Sequence, residues 1–248
     1  MTCFGKEILK LIILLVFTST ANSKEYNYNL IAHAGGAFKR DVYLNSKEAI
    51  LNSIKNKFIN IEIDLQITSD GMIYGLHKWK DIKKFSPNDI KILKEKDEAR
   101  KLTYNDLKIF NQNNSFKILL EEDIVSLLNA NNQIVLFTDK ISNFKKLKNF
   151  FSKFNNKKFV EVYSFKDYLI AKKYGFKNII YSSDLSKLDI IIINLLNMKN
   201  ISFSKKEIED NNKMNFIIDS KNKINFFCYT VNNLEFLKKN ENYIKYFY

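Results

Sequence analysis

Glu62 and Asp64 stand two residues apart in the run Ile61-Glu62-Ile63-Asp64-Leu65. On a strand that spacing sends both carboxylates to one face and the three aliphatic side chains to the other. Two carboxylates about 7 Å apart on one face repel each other and resist desolvation unless protons or a cation compensate. A hard divalent ion is the simplest compensation. The plain alternative is a solvated edge strand, which the strongly apolar character of the run disfavours. The chain holds two histidines, and both close apolar runs: His33 ends Leu30-Ile31-Ala32-His33, and His77 ends Ile73-Tyr74-Gly75-Leu76-His77. With an ordinary pKa of about 6.5, such a pair can act as general acid and general base at neutral pH. Taken singly, each reads as a hydrogen-bonded structural histidine; beside the two acids, the catalytic reading is the stronger one.

Two weaker signals accompany these four residues. Asp139 and Lys140 follow Ile134-Val135-Leu136-Phe137-Thr138 at what reads as another strand end. There a carboxylate would complete a metal site and an ammonium would bind a phosphate oxygen; a surface ion pair at a strand-to-helix turn is the alternative. After His33 come Ala34, Gly35 and Gly36, which place two of the six glycines where the backbone turns sharply or lets a ligand approach closely.

Positioning such groups requires a regular scaffold. Apolar, β-branched runs predict strands at 29–33, 58–65, 72–77, 133–139, 158–163, 177–182, 189–194 and 224–231, with a ninth candidate at 215–219. Amphipathic helical patterns lie between many of them, at 46–57, 119–129, 141–154, 165–174 and 233–239. Continuously apolar strands alternating with helices indicate a mainly parallel sheet covered on both faces. About eight strands in this length predict an α/β, TIM-like (β/α)8 barrel, whose active groups gather at the C-terminal ends of the strands. An open doubly wound sheet is the alternative, but no Gly-rich phosphate loop follows any strand. Thr68-Ser69-Asp70-Gly71 forms a turn too short for a helix. Residues 79–116 are polar, contain the only proline, Pro87, and read as a helical insertion or lid beside the barrel mouth.

In order and spacing, these motifs resemble the glycerophosphodiester phosphodiesterase family, within the wider group of phosphatidylinositol-specific phospholipase C-like phosphodiesterases. The resemblance rests on His33-Ala34-Gly35-Gly36, Asn45-Ser46-Lys47-Glu48-Ala49, Glu62-Ile63-Asp64 with Thr68-Ser69-Asp70-Gly71, and His77-Lys78-Trp79. Thinner matches are Leu120-Glu121-Glu122, Thr138-Asp139-Lys140 and Tyr229-Thr230-Val231-Asn232. It implies a TIM barrel and a divalent Ca or Mg ion held by Glu62, Asp64 and Asp139. It also implies His33 and His77 as the acid/base pair, and Lys140 at the phosphate of a small-molecule or lipid-derived phosphodiester. The pattern departs at Ala34, where the family commonly has Arg, at Lys78, where Asp is common, and at Asp139, where Glu is common. Lys78 is read as a replacement for the missing positive charge at the phosphate.

Composition bounds the rest. The hydrophobic fraction of 46% supplies a core for the 248 residues. Residues 1–23 read as a signal peptide: Lys6 and Lys10 precede an apolar stretch from Leu11 to Phe17, followed by the small residues Ala21 and Ser23. Cleavage would leave a barrel domain over 24–248 that is exported to the periplasm or envelope; an uncleaved anchor is the alternative. Cys3 lies in the leader and Cys228 in the body, which excludes a disulfide-rich scaffold. The formal net charge is +13, but its lysines are scattered among Asn and Ile rather than clustered, so no nucleic-acid partner is expected. Peripheral contact with a membrane is compatible with that charge. The competing functional reading is a non-catalytic envelope barrel that binds anionic headgroups or a partner protein.

Overall fold

The computed structural model describes residues 29–39, 41–229, 231 and 233–248. The leader expected at 1–23 lies outside the described residues, as do Thr230 and Asn232 of the last motif. Among the described residues twelve strands are formed: β1 (Ile31–Ala32), β2 (Ala37–Phe38), β3 (Asp41–Val42), β4 (Asn60–Ile67), β5 (Ile73–Gly75), β6 (Leu119–Leu120), β7 (Val135–Asp139), β8 (Lys158–Val162), β9 (Ile179–Ser182), β10 (Asn200–Ser204), β11 (Asn225–Tyr229) and β12 (Tyr246–Phe247).

Eight of these pair in parallel in the order β1, β4, β7, β8, β9, β10, β11, β12. A parallel bridge from Phe247 back to Leu30 closes the ring. Helices return the chain between successive members, over Lys47–Lys55, Glu121–Ala130, Phe144–Phe151, Phe165–Lys173, Lys187–Leu195, Asn211–Ser220 and Leu234–Asn240. The sequence punctuates these returns locally. Ser46, Asn143, Ser164, Ser186, Asp210 and Asn233 each accept a backbone N–H at the start of the helix that follows, satisfying donors that the helix itself leaves unpaired.

Strand alternation builds two cores. Outward side chains such as Ile61, Ile63, Leu65, Leu136 and Phe203 pack under the helices. Inward side chains fill the barrel with Ile31, Phe137, Phe159, Ile180, Phe227 and Tyr248. Phe137 stacks on Phe159 with centroids 4.7 Å apart, and Phe227 on Tyr246 at 4.6 Å. This aromatic layer plugs the barrel beneath the next inward residues, which are polar: Asp139, Glu161 and Tyr229.

The run 189–194 is not a strand but part of the helix Lys187–Leu195. Ser186 and Asp189 form a reciprocal capping box there, which nucleates a helix despite four consecutive isoleucines. The ninth candidate, 215–219, is likewise helical, started by Asp210, which accepts from Asn212 and Lys213. The strands that take their places are β10 and β12. In β10, Ile201 and Phe203 face the helices while Ser202 faces the polar upper interior, so its alternation hid it among loop-like serines. The 72–77 run does form a strand, β5, but it pairs antiparallel with β4 through Leu65–Ile67. His77 therefore does not close a parallel barrel strand. The first half of β4 belongs to the barrel and its last residues extend beyond, carrying β5, β6 and the helices Trp79–Ile82, Pro87–Glu98 and Tyr104–Asn113. The expected helical insertion is thus present, with its own apolar cluster around Leu76, Trp79, Ile90, Leu107 and Phe110.

Candidate active site

β4 presents Glu62 and Asp64 on its inward face, and its register with β7 sets Asp64 directly beside Asp139. One oxygen from each of Glu62, Asp64 and Asp139 lies within 4.8 Å of the others. Each carboxylate has one oxygen held by a fixed donor. Ala34 N donates to Glu62 Oε2 at 2.6 Å, Asn45 Nδ2 to Asp64 Oδ2 at 2.8 Å, and the Tyr163 hydroxyl to Asp139 Oδ2 at 2.6 Å. Asp139 Oδ1 is buried without a partner. Burial, reinforced by neighbouring carboxylates, pushes Glu62 well above the usual carboxylate range, and burial followed by Asp64 pushes Asp139 up to about 6. An all-oxygen cluster with an orphaned buried acceptor fits a hard cation such as Ca or Mg. The Lys140 ammonium partly compensates for this excess of negative charge by pairing with Asp64.

The loop after β1 is shaped to meet this cluster. Ala34, Gly35 and Gly36 all take positive φ, at 51, 78 and 93°. A side chain at Gly36 would collide with Ser53 Oγ, and Ser53 itself donates to the Gly35 carbonyl, so the turn is pinned to the Lys47–Lys55 helix. The Ala34 methyl is completely buried, so position 34 offers the site its backbone N–H and no charge. Asn45, with φ of 47°, is gripped between two elements: its N donates to the Ala34 carbonyl, and its Oδ1 accepts from Asp64 N at 2.9 Å.

Both imidazoles border the carboxylates. His33 Nε2 is 3.9 Å from Glu62 Oε2, and burial is the largest influence holding its pKa below the usual value. His77 arrives from the far side, on the segment leaving β5. Its Nδ1 is 2.6 Å from Asp81 Oδ2, one helical turn on, which fixes the ring and leaves Nε2 for proton transfer. The Tyr43 ring lies between the two histidines, edge-on to His33 at 5.1 Å and stacked on His77 at 5.3 Å. Lys140 Nζ also reaches the His77 carbonyl at 3.5 Å. All the expected site residues but Lys78 meet here. Lys78 is exposed and lines a neighbouring cavity that opens beside His77.

Several contributors carried no chemical signal in the sequence. Tyr43, Asp81 and Tyr163 act only through partners that folding brings to them, although Asp81 sits four residues after His77, a spacing that joins side chains on one turn. Glu161 is inward on β8, where it accepts from Ser202 Oγ at 2.5 Å and lies 3.5 Å from the Tyr248 hydroxyl. Burial pushes it up to about 7.

No protein-family model matches the sequence, and no curated protein is similar to it. Solved structures do share its fold. A glycerophosphodiester phosphodiesterase from Thermotoga maritima superposes with a TM-score of 0.70 at 18% identity, over 90% of this chain and 94% of that one. A structure described as a putative glycerophosphodiester phosphodiesterase from Galdieria sulphuraria gives 0.67 at 13% identity, over 89% and 92%. One from Agrobacterium tumefaciens, described as a putative glycerophosphoryl diester phosphodiesterase, gives 0.65 at 12%, over 89% and 92%. Solved structures of the family that the sequence motifs resemble therefore share this chain's fold.

Proposed function

We propose that the protein is a metal-dependent phosphodiester hydrolase acting on glycerophosphodiesters or related headgroup diesters. The observation that carries this reading is the cluster of Glu62, Asp64 and Asp139 around a buried, unpartnered oxygen, with an imidazole on either side. Glu62, Asp64 and Asp139 would hold a Ca or Mg ion, which would supply charge neutralisation at the phosphoryl oxygens when bound. His33, which burial keeps neutral at neutral pH, takes the proton from a substrate hydroxyl next to the phosphodiester. That oxygen bonds to phosphorus as the bond to the departing alcohol breaks. The departing oxygen receives the proton held on His77 Nε2, whose ring Asp81 keeps in register. Water then opens the cyclic phosphate with the two imidazoles exchanging roles. The pairing of Lys140 with Asp64 supports a role for its ammonium at a phosphoryl oxygen.

The test is hydrolysis of glycerophosphodiesters by the purified protein with Ca, Mg or Mn, beside His33→Ala and His77→Ala. Each substitution is expected to lower kcat at least about a hundredfold, the usual contribution of a general acid or base. Full activity in both variants would rule the mechanism out.

A further inference from the structure

The two imidazoles open onto different cavities. On the His33 side lies a space of about 400 Å³ whose described lining, including Val42, Tyr43, Phe58 and Phe247, contains no Lys, Arg, Asp or Glu. On the His77 side lies one of about 680 Å³ between the β4 extension and the helical insertion. Five lysines surround it, Lys78, Lys80, Lys83, Lys91 and Lys94, against one carboxylate, Asp97. Asp97 is already engaged, accepting from Trp79 Nε1 at 2.9 Å. Lys94 pairs with Glu98 at 3.3 Å, but among the described residues the other four lysines have no carboxylate partner. A basic composition alone scatters lysines over the surface; here five of them line one concavity that shares His77 with the carboxylate site.

We infer that this cavity receives a second anionic group, a further phosphate carried by the substituent on the His77 side of the scissile diester. The inference rests on the hydrolase reading and narrows it: the preferred substrate has one uncharged end, accommodated beside His33, and one polyanionic end beside His77. Clustered ammonium groups in a concave wall attract a dianion more strongly than isolated surface lysines do, because the wall excludes part of the screening solvent. Flexible lysines suit this task, since they follow a mobile phosphate as point charges without the fixed geometry of Arg.

The experiment compares two soluble diesters that share the scissile group, glycerophosphoglycerol and the same molecule bearing a terminal phosphate. It uses the native protein with Ca and a Lys80→Gln, Lys83→Gln, Lys91→Gln triple variant. The native protein should favour the doubly anionic diester by at least about tenfold in kcat/KM at low salt, a preference that shrinks as salt rises. The triple variant should lose that preference and keep its kcat/KM on glycerophosphoglycerol. No preference in the native protein, or an undiminished one in the triple variant, overturns the inference. If neither diester is turned over, the hydrolase reading itself fails, and calorimetric binding of the doubly anionic diester then decides the cavity: it should be at least about tenfold weaker in the triple variant. Phosphatidylglycerol vesicles form the remaining arm. Loss of vesicle binding in the triple variant, without loss of the soluble preference for the dianion in the native protein, would leave the inference standing. Loss of vesicle binding with no soluble preference would make the cavity a membrane contact and refute it.

Discussion

Replacing Asp139 with Asn should make the protein more stable without metal while removing its response to metal. Three carboxylate oxygens within 4.8 Å of one another repel pairwise by about 3.5 kcal/mol at an effective dielectric of about 20. Asp139 enters two such pairs, which amounts to about 7 kcal/mol before any offset. Lys140 and the Tyr163 hydroxyl offset part of this. The displacement of the Asp139 carboxyl from 3.8 to about 6, caused first by burial and then by Asp64, corresponds to about 3 kcal/mol and already includes those offsets. The direction follows from linkage. A carboxyl whose folded-state pKa is raised contributes stability that is fully present below 3.8 and lost as pH rises through about 6. In chelator at pH 8, Asp139→Asn should therefore raise Tm by about 6 to 12 °C, taking about 2–4 °C per kcal/mol for a chain of this size. The carbonyl of the new side chain still accepts from Tyr163, so that bond is preserved. Below pH 4 the two proteins should converge. Adding Ca to about a hundred times its Kd should stabilise the native protein by about 2.7 kcal/mol and the variant far less. Scanning calorimetry over pH, with and without Ca, reads both effects. An unchanged or lower Tm in chelator at pH 8 would refute the repulsion argument, and a full Ca response in the variant would remove Asp139 from the ligand set.

Two further substitutions probe the supports of the site. Asn45→Ala removes both side-chain bonds to Asp64 and leaves a β-carbon at positive φ, so urea unfolding should show a loss of about 2 to 4 kcal/mol. Asn45→Gly, which relieves the backbone, should cost about 1 kcal/mol less. Asp81→Asn should lower kcat about ten- to a hundredfold with KM little changed, because it releases the His77 ring rather than the substrate. A shifted His77 tautomer in ¹⁵N spectra would accompany that loss, and an unchanged tautomer with unchanged kcat would show that Asp81 positions nothing.

The site was more legible in the sequence than the barrel around it. The two-residue spacing of Glu62 and Asp64 follows directly from strand geometry, and Asp139 announces itself at the end of an apolar run. The barrel was recovered with two wrong members: 189–194 is helical, because apolar, β-branched character does not distinguish a strand from a helix, and 72–77 is a strand that pairs antiparallel outside the ring. At 187–195 the capping box outweighed the isoleucines, whereas β10 was disguised by serines that face Glu161. Lys78 lines the neighbouring cavity instead of the carboxylate cluster for a different reason. Adjacent residues on a bend point different ways, so proximity to His77 in the chain did not bring it to the carboxylates. Tyr43 and Tyr163 were invisible because their roles depend on contacts across elements, and no local pattern encodes those.

The extension of β4 divides the machinery between two hydrophobic nuclei. The three carboxylates and His33 are anchored in the barrel, while His77, its partner Asp81 and the lysine-lined wall hang on the insertion, which packs about Trp79, Ile90, Leu107 and Phe110. Changes within that outlying nucleus reach the second imidazole and the substituent it faces without passing through the barrel core. If the proposed activity holds, a descendant of this chain could therefore exchange one diet of diesters for another by rebuilding a single excursion, with the carboxylate cluster inherited intact.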